Sequence, residues 1–235
     1  MMFTVYNPIN RRFFLNPRCD LMFANRHDAG IELASALMRY RGQSGVVVIG
    51  IPRGGVVVAG EVARFLDAPL EVVIIKKLGY PGNPELALGA ASPDAFFLNE
   101  DLARTVPKDY IDEEVKVKQR EALERVSTLR GSHKPINLAG KIAIVVDDGI
   151  ATGASMMMAI KVLRNMKPAS IVVAVPVAPP DSVRELKQVA DEVVTIMQPR
   201  DFFAIGQFYS DFTQVSDEET KKILEEGGSG KRASR

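Results

Sequence analysis

Short unbroken apolar runs alternate along this chain with stretches of helical periodicity. The segments "GVVVIG" (45–50), "LEVVIIKKL" (70–78), "KIAIVV" (141–146), "SIVVAVPV" (170–177) and "DEVVTIM" (191–197) are strand-like. Their apolar residues are contiguous rather than alternating, as in strands covered on both faces. Between them the apolar spacing turns helical. In 29–40, Ile31, Leu33, Ala34 and Leu37 recur on one side, and in 55–66 Val58, Val62 and Leu66 do the same. Helices over 153–166 and 180–190 link the later strands. The segment 107–131 is a long amphipathic helix with acidic residues first and basic residues last, which suits its dipole. Ser216 and Glu219 form a capping box for a final helix that ends at Gly227. This alternation predicts the α/β class, a doubly wound parallel sheet with crossover helices. Residues 1–25 show no period and form an N-terminal arm. Residues 26–226 form the domain, and the low-complexity 227–235 a disordered tail.

In such sheets ligands sit where strand carboxyl ends meet helix starts. One of these junctions reads "AIVVDDGIATGASM" (143–156). The strand stops at two adjacent carboxylates, Asp147 and Asp148, and a loop of small residues leads into a helix. The free N–H groups of that helix start, Gly153, and the hydroxyls of Thr152 and Ser155 suit a phosphate. The acid pair would repel phosphate, but it suits a vicinal diol, whose hydroxyls it can accept, and can help hold Mg²⁺. A ligand with a phosphate at one end and a diol beside it, such as a ribose 5-phosphate, satisfies both. The loop contains no lysine, which excludes a Walker P-loop.

Three further segments carry candidate chemistry. "GIPRGG" (50–55) follows the first strand: Arg53 is a rigid cationic fork, and Gly54-Gly55 let bare backbone approach a ligand or simply make a tight turn. Lys76 and Lys77 end the second strand, ahead of a Gly/Pro/Asn-rich stretch (79–90) with the composition of a mobile loop. "QPRDFFAIGQFYSDFTQV" (198–215) concentrates Phe202, Phe203, Phe208, Tyr209 and Phe212, which could stack a flat base or pack the last helix. Composition narrows the partners. A net charge of +1 supplies no global attraction to nucleic acid or membrane. One cysteine, Cys19, excludes a disulfide framework and points to a reducing, cytoplasmic setting. His27 and His133 are far apart, so no metal-ligand spacing of His and Cys exists.

The stretch "VVDDGIATGAS" resembles the phosphoribosyl pyrophosphate (PRPP) motif of type I phosphoribosyltransferases. With PRGG, KKLG-x-PGNPE, and DFFAIG-x-FY-x-DF, the chain is similar to a group of stand-alone members with no assigned acceptor. The resemblance implies a Mg²⁺-dependent enzyme of the type I fold, with a small hood at 198–215 and a flexible loop. It would move a 5-phosphoribosyl group from PRPP to a nitrogen acceptor such as a nucleobase, releasing pyrophosphate. It implies that Asp147 and Asp148 grip the ribose hydroxyls, with Mg²⁺ nearby, and that Ala151, Thr152, Gly153, Ala154 and Ser155 wrap the 5-phosphate. Arg53, Gly54, Gly55, Lys76 and Lys77 would face pyrophosphate, with a non-proline cis peptide near Pro52-Arg53-Gly54. Phe203 would cover the base and Asp211 read its edge, although the spacing from Gly206 is one residue longer than in hypoxanthine-type members. Those members carry an aspartate where Ala151 stands, so their general base is missing here; Glu85 is a candidate replacement, and a solvated loop charge is its other reading. The family expectation is a homodimer. A non-catalytic PRPP- or nucleotide-binding regulator is the alternative function, and a hydrolase acting on a ribosyl phosphate is a third.

Overall fold

The computed structural model describes residues 22–130 and 135–228. In chain order the elements are α1 (Arg26–Ala36), β1 (Val46–Gly50), α2 (Gly54–Leu66), β2 (Leu70–Val72), β3 (Lys76–Tyr80), β4 (Asn83–Ala91), β5 (Phe96–Leu98), α3 (Glu100–Ala103), α4 (Lys108–Arg130), β6 (Ile142–Val146), α5 (Ala154–Arg164), β7 (Ser170–Val177), α6 (Pro180–Leu186), β8 (Glu192–Met197) and α7 (Asp217–Gly228). Five strands form a parallel sheet in the order β2-β1-β6-β7-β8. Alternate residues along each strand face opposite layers. Val46, Val48, Ile144, Val146 and Val172 pack with α1, α2, α4 and α7. Val47, Ile49, Ala143, Val145 and Val173 pack with α5 and α6. The contiguous apolar runs are therefore strands buried on both faces.

The segment read as one strand over 70–78 is two. β2 pairs with β1 only as far as Val72 opposite Gly50, where β1 ends. The chain then turns away, and β3 pairs antiparallel with β4, which pairs with β5 in a separate three-stranded sheet. The Gly/Pro/Asn-rich stretch after Lys77 is thus mostly hairpin, with Gly82 at φ +74° in its turn. In α1, Ile31 is 54% exposed. The inward line is Ala29, Gly30, Leu33 and Ala34 with Leu37 just beyond, because a Cβ on Gly30 would lie 2.7 Å from Glu61 Cβ and only the small side can face α2. The last helix runs through Gly228, two residues into the stretch read as a tail; the rest of the tail, most of the arm, Cys19 and His133 lie outside the described residues. The end of the arm pairs with the hood: the Phe23 N–H donates to the Phe208 carbonyl at 2.9 Å and the Ser210 N–H to Phe23 at 2.8 Å.

Glu71 fixes the edge of the parallel sheet. Its buried carboxylate accepts from Arg130 Nε at 3.0 Å, Arg130 Nη2 at 2.9 Å, the Ile136 N–H at 3.1 Å and the Val72 N–H at 2.8 Å. It therefore ties the end of α4 and the segment leading to β6 onto β2. Glu71→Ala should lower stability by about 3 kcal/mol, because it strands a buried guanidinium. Urea denaturation should show a lower midpoint at unchanged slope.

Candidate functional site

β1 and β6 are adjacent, with Gly50 opposite Val146, so the loops leaving their carboxyl ends emerge side by side. After β2 the chain crosses to the other side of β1, which makes this the point where strand order reverses and a crevice forms. Pro52-Arg53 and the start of α2 come from β1, and the Pro52–Arg53 peptide is cis. Asp147, Asp148 and the turn into α5 come from β6.

Asp148 is 8% exposed and Asp147 is half-buried. The Asp148 N–H donates to Asp147 Oδ1 at 2.9 Å, and Arg26 Nε donates to Asp148 Oδ2 at 2.7 Å. Burial and then the charge of Asp148 push the Asp147 carboxyl well above the usual carboxylate range. Burial also raises Asp148, against the pull of Arg26. The first turn of α2 rests on this pair. A Cβ on Gly54 would lie 2.0 Å from Asp148 Oδ2, and one on Gly55 would lie 2.7 Å from Asp147 Oδ1 and 2.9 Å from the Val146 carbonyl oxygen. The bareness of the two glycines is thus needed to admit the acid pair against the first turn of α2. It also places the positive end of the α2 dipole beside the carboxylates.

Beyond the acid pair the loop opens outward. Ala151, Thr152, Ala154 and Ser155 are exposed. Gly153, at φ +76°, is the N-cap of α5 and supplies no side-chain cap. The first-turn N–H groups of α5 therefore retain their capacity for an anion. Ser182 Oγ donates to the Ala151 carbonyl at 2.6 Å and holds the loop from below.

The sequence-selected cations separate. Arg53 stands at the start of α2, with Nη1 3.9 Å from Asp217 Oδ1; Asp217 in turn accepts two bonds from Arg125, at 2.5 and 2.6 Å. Lys76 turns to α4, 3.7 Å from Glu121. Lys77 is paired with Ala90, which packs against Val162 of α5, so Lys77 lies on the α5 face of the small sheet. Glu85 lies in β4. In the hood, Phe202, Phe208, Tyr209 and Phe212 join Phe23, Ala29 and Val177 in a core cluster, while Phe203 is 90% exposed. These four aromatics pack against Phe23 and α1 rather than the last helix; packing that helix was one of the two roles the sequence left open for them. Asp211 Oδ1 accepts from the Thr213 N–H at 3.0 Å and from the Thr213 hydroxyl, so that carboxylate oxygen closes its own turn.

A family model described as phosphoribosyl transferase domain matches residues 23–213. The chain belongs to this family. It is 44% identical over 208 residues to proteins of Mycobacterium tuberculosis strains CDC 1551 and H37Rv that are named for the phosphoribosyl transferases. Those matches take in 87% of this chain and 46% of each relative, so the chain spans about half their length. The crystal structure of TT1426 from Thermus thermophilus is 42% identical, with a TM-score of 0.79, over 88% of this chain and 99% of that one.

Arg26, Asp217 and Arg125 did not stand out in the sequence. Arg26 precedes the first clear helical period, Arg125 lies in a helix rich in both charges, and Asp217 reads as a first-turn acid of α7. Each acquires its place only through contacts across 90 or more residues. Arg26 makes the most of them: Nη1 donates to the Thr213 carbonyl at 2.8 Å, and the guanidinium carbon lies 3.8 Å from the centre of the Phe212 ring. Beside it the Tyr209 hydroxyl donates to the Asp148 carbonyl at 2.5 Å, and burial, then the charge of Asp148, raises the Tyr209 pKa.

The unequal settings of the two acids give opposite stability effects. Asp147→Asn keeps an acceptor for the Asp148 N–H and removes a buried repulsion, so the melting temperature at pH 8 should rise by about 2–4 °C per kcal/mol gained. A raised folded-state pKa means that the native state binds more protons than the unfolded chain between the two pKa values. Wild-type stability from this group is thus present below the unfolded value and lost as pH rises through the folded one. The advantage of Asp147→Asn should therefore grow from pH 5 to pH 8, which paired thermal melts measure. Asp148→Asn leaves Arg26 without its counter-charge and should destabilise by about 3 kcal/mol. Equal effects of the two substitutions at every pH would contradict this account.

Proposed function

We propose that this chain transfers a 5-phosphoribosyl group from PRPP to a nitrogen acceptor, a nucleobase or an amine, with release of pyrophosphate. The observation that supports it most is the placement of the acid pair one short turn before the uncapped start of α5, at the crevice between β1 and β6. The sugar hydroxyls would meet Asp147 and Asp148. The 5-phosphate would meet the amides of Ala151 to Ser155 and the hydroxyls of Thr152 and Ser155. Arg53, with Gly54 and Gly55, lies on the β1 side, where the pyrophosphate would extend, and Lys77 would approach from the small sheet. Lys76, held by Glu121, is assigned no part in this reading.

The reaction breaks the bond between C1 and the pyrophosphate oxygen, and its electron pair leaves with pyrophosphate. The acceptor nitrogen forms the new bond to C1 and gives up a proton, for which Glu85 is the candidate base. Positive charge on the ring during this exchange is favoured by the adjacent carboxylates, and negative charge on the leaving group by Arg53 and Lys77. Among the described residues no three His, Cys, Asp or Glu side chains form a metal cluster. Two carboxylates fit a Mg²⁺ that arrives on the pyrophosphate, since this ion keeps several waters and takes one or two protein oxygens. When bound it would offset charge on the leaving group. Phe203 is the exposed ring of the hood and would be available to an acceptor. A cytoplasmic homodimer belongs to the same reading, on the strength of the single cysteine and the family resemblance.

Pyrophosphate release from PRPP and Mg²⁺ should require an acceptor when tested across a panel of bases and amines. Asp147→Asn should lower that rate by about 100-fold while the protein stays folded. Release at the same rate without acceptor would indicate a hydrolase. PRPP binding with no release under any condition would indicate the regulatory alternative.

A further inference from the structure

We propose that Arg26 is a positioning residue that couples the hood to the acid pair, so that a sugar seated on Asp147 and Asp148 orders the segment over the acceptor side. The proposal rests on the reading of that pair as the sugar site. Arg26 side-chain exposure is 10%, and the guanidinium is engaged in three directions: on Asp148 through Nε, on the Thr213 carbonyl through Nη1, and on the Phe212 ring through its face. A guanidinium is a rigid planar fork, so these contacts move together. On its far side the pair is stopped by α2, because the Cβ position of Gly54 is 2.0 Å from Asp148 Oδ2 and 2.7 Å from Arg26 Nε. A displacement of Asp148 therefore passes towards the hood rather than into α2. The hood receives it at one more place, and its own bonds spread it further. Tyr209 is bonded to the Asp148 carbonyl, and Thr213 is fixed by Asp211. The backbone N–H groups of Tyr209, Ser210, Asp211 and Thr213 are all hydrogen-bonded and report on the order of this segment.

The test combines calorimetric binding of PRPP with Mg²⁺ and hydrogen exchange of amides 209–213, for wild type, Arg26→Lys, Arg26→Gln and Phe212→Leu. In wild type, ligand should slow exchange of these amides by about tenfold. Arg26→Gln should weaken PRPP binding by about tenfold and abolish that protection. Arg26→Lys keeps the charge beside Asp148 but loses the fork and the flat stack. It should bind PRPP within about threefold of wild type and still lose the protection, a split that a purely structural role does not produce. Phe212→Leu leaves the ion pair intact; it should keep affinity and lose part of the protection, and it decides the question if Arg26→Gln fails to fold. PRPP binding that protects the hood equally in wild type, Arg26→Lys and Phe212→Leu overturns the coupling alone. Wild-type protein that does not bind PRPP overturns the sugar-site reading and the coupling with it.

Discussion

Burying Asp148 next to Asp147 is unfavourable twice, once through desolvation and again through repulsion between like charges. Arg26 offsets part of both. Its Nε lies 2.7 Å from Asp148 Oδ2 in a region where side-chain exposure is only 10–12%, so water screens the attraction weakly. Much of what surrounds the β6 end follows from accommodating this triad. Gly54 and Gly55 must lack side chains, the start of α2 must point its dipole at the carboxylates, and the hood must bring Phe212 and Thr213 to the guanidinium. A chain selected for stability alone would place an apolar residue at Asp147. Keeping two buried acids side by side there is a local conflict with stability.

The same region joins parts of the chain that are distant in sequence. Asp217 opens α7, accepts a bidentate pair from Arg125 of α4, and lies within 3.9 Å of Arg53 after β1. Arg125 holds Asp217 below the usual carboxylate range. The last helix thus carries a carboxylate to the cationic side of the crevice, while the end of the N-terminal arm braces the hood through Phe23. Both ends of the domain close on the loops of β1 and β6, so the carboxyl edge of the sheet is supported from both sides.

Family membership fits this architecture, and the length comparison sets its scope. The matched region covers most of the chain but about half of the Mycobacterium tuberculosis relatives, so the site described here is one portion of proteins of that length. Ala151 is exposed, with its carbonyl held by Ser182, and Asp211 is turned into its own loop. Phe203 is left exposed by the packing of the hood.

The sequence by itself determined the class of fold and the position of the acid-pair loop. Buried strands, crossover helices and a strand-end motif are all written in local spacing, which depends on backbone geometry within a few residues. It misplaced the break between β2 and β3, because the strand-forming residues of 70–78 continue past the point where β1 runs out of partners. It also gave no sign of the carboxylates packed on Gly54 and Gly55, and no partner for Arg26. Those matters were decided by tertiary structure alone, since the ion pair between residues 26 and 148 and the carboxylates beside Gly54 and Gly55 are contacts across long separations. Such contacts leave no periodic trace, because a charge is buried only when the whole fold has supplied its partner.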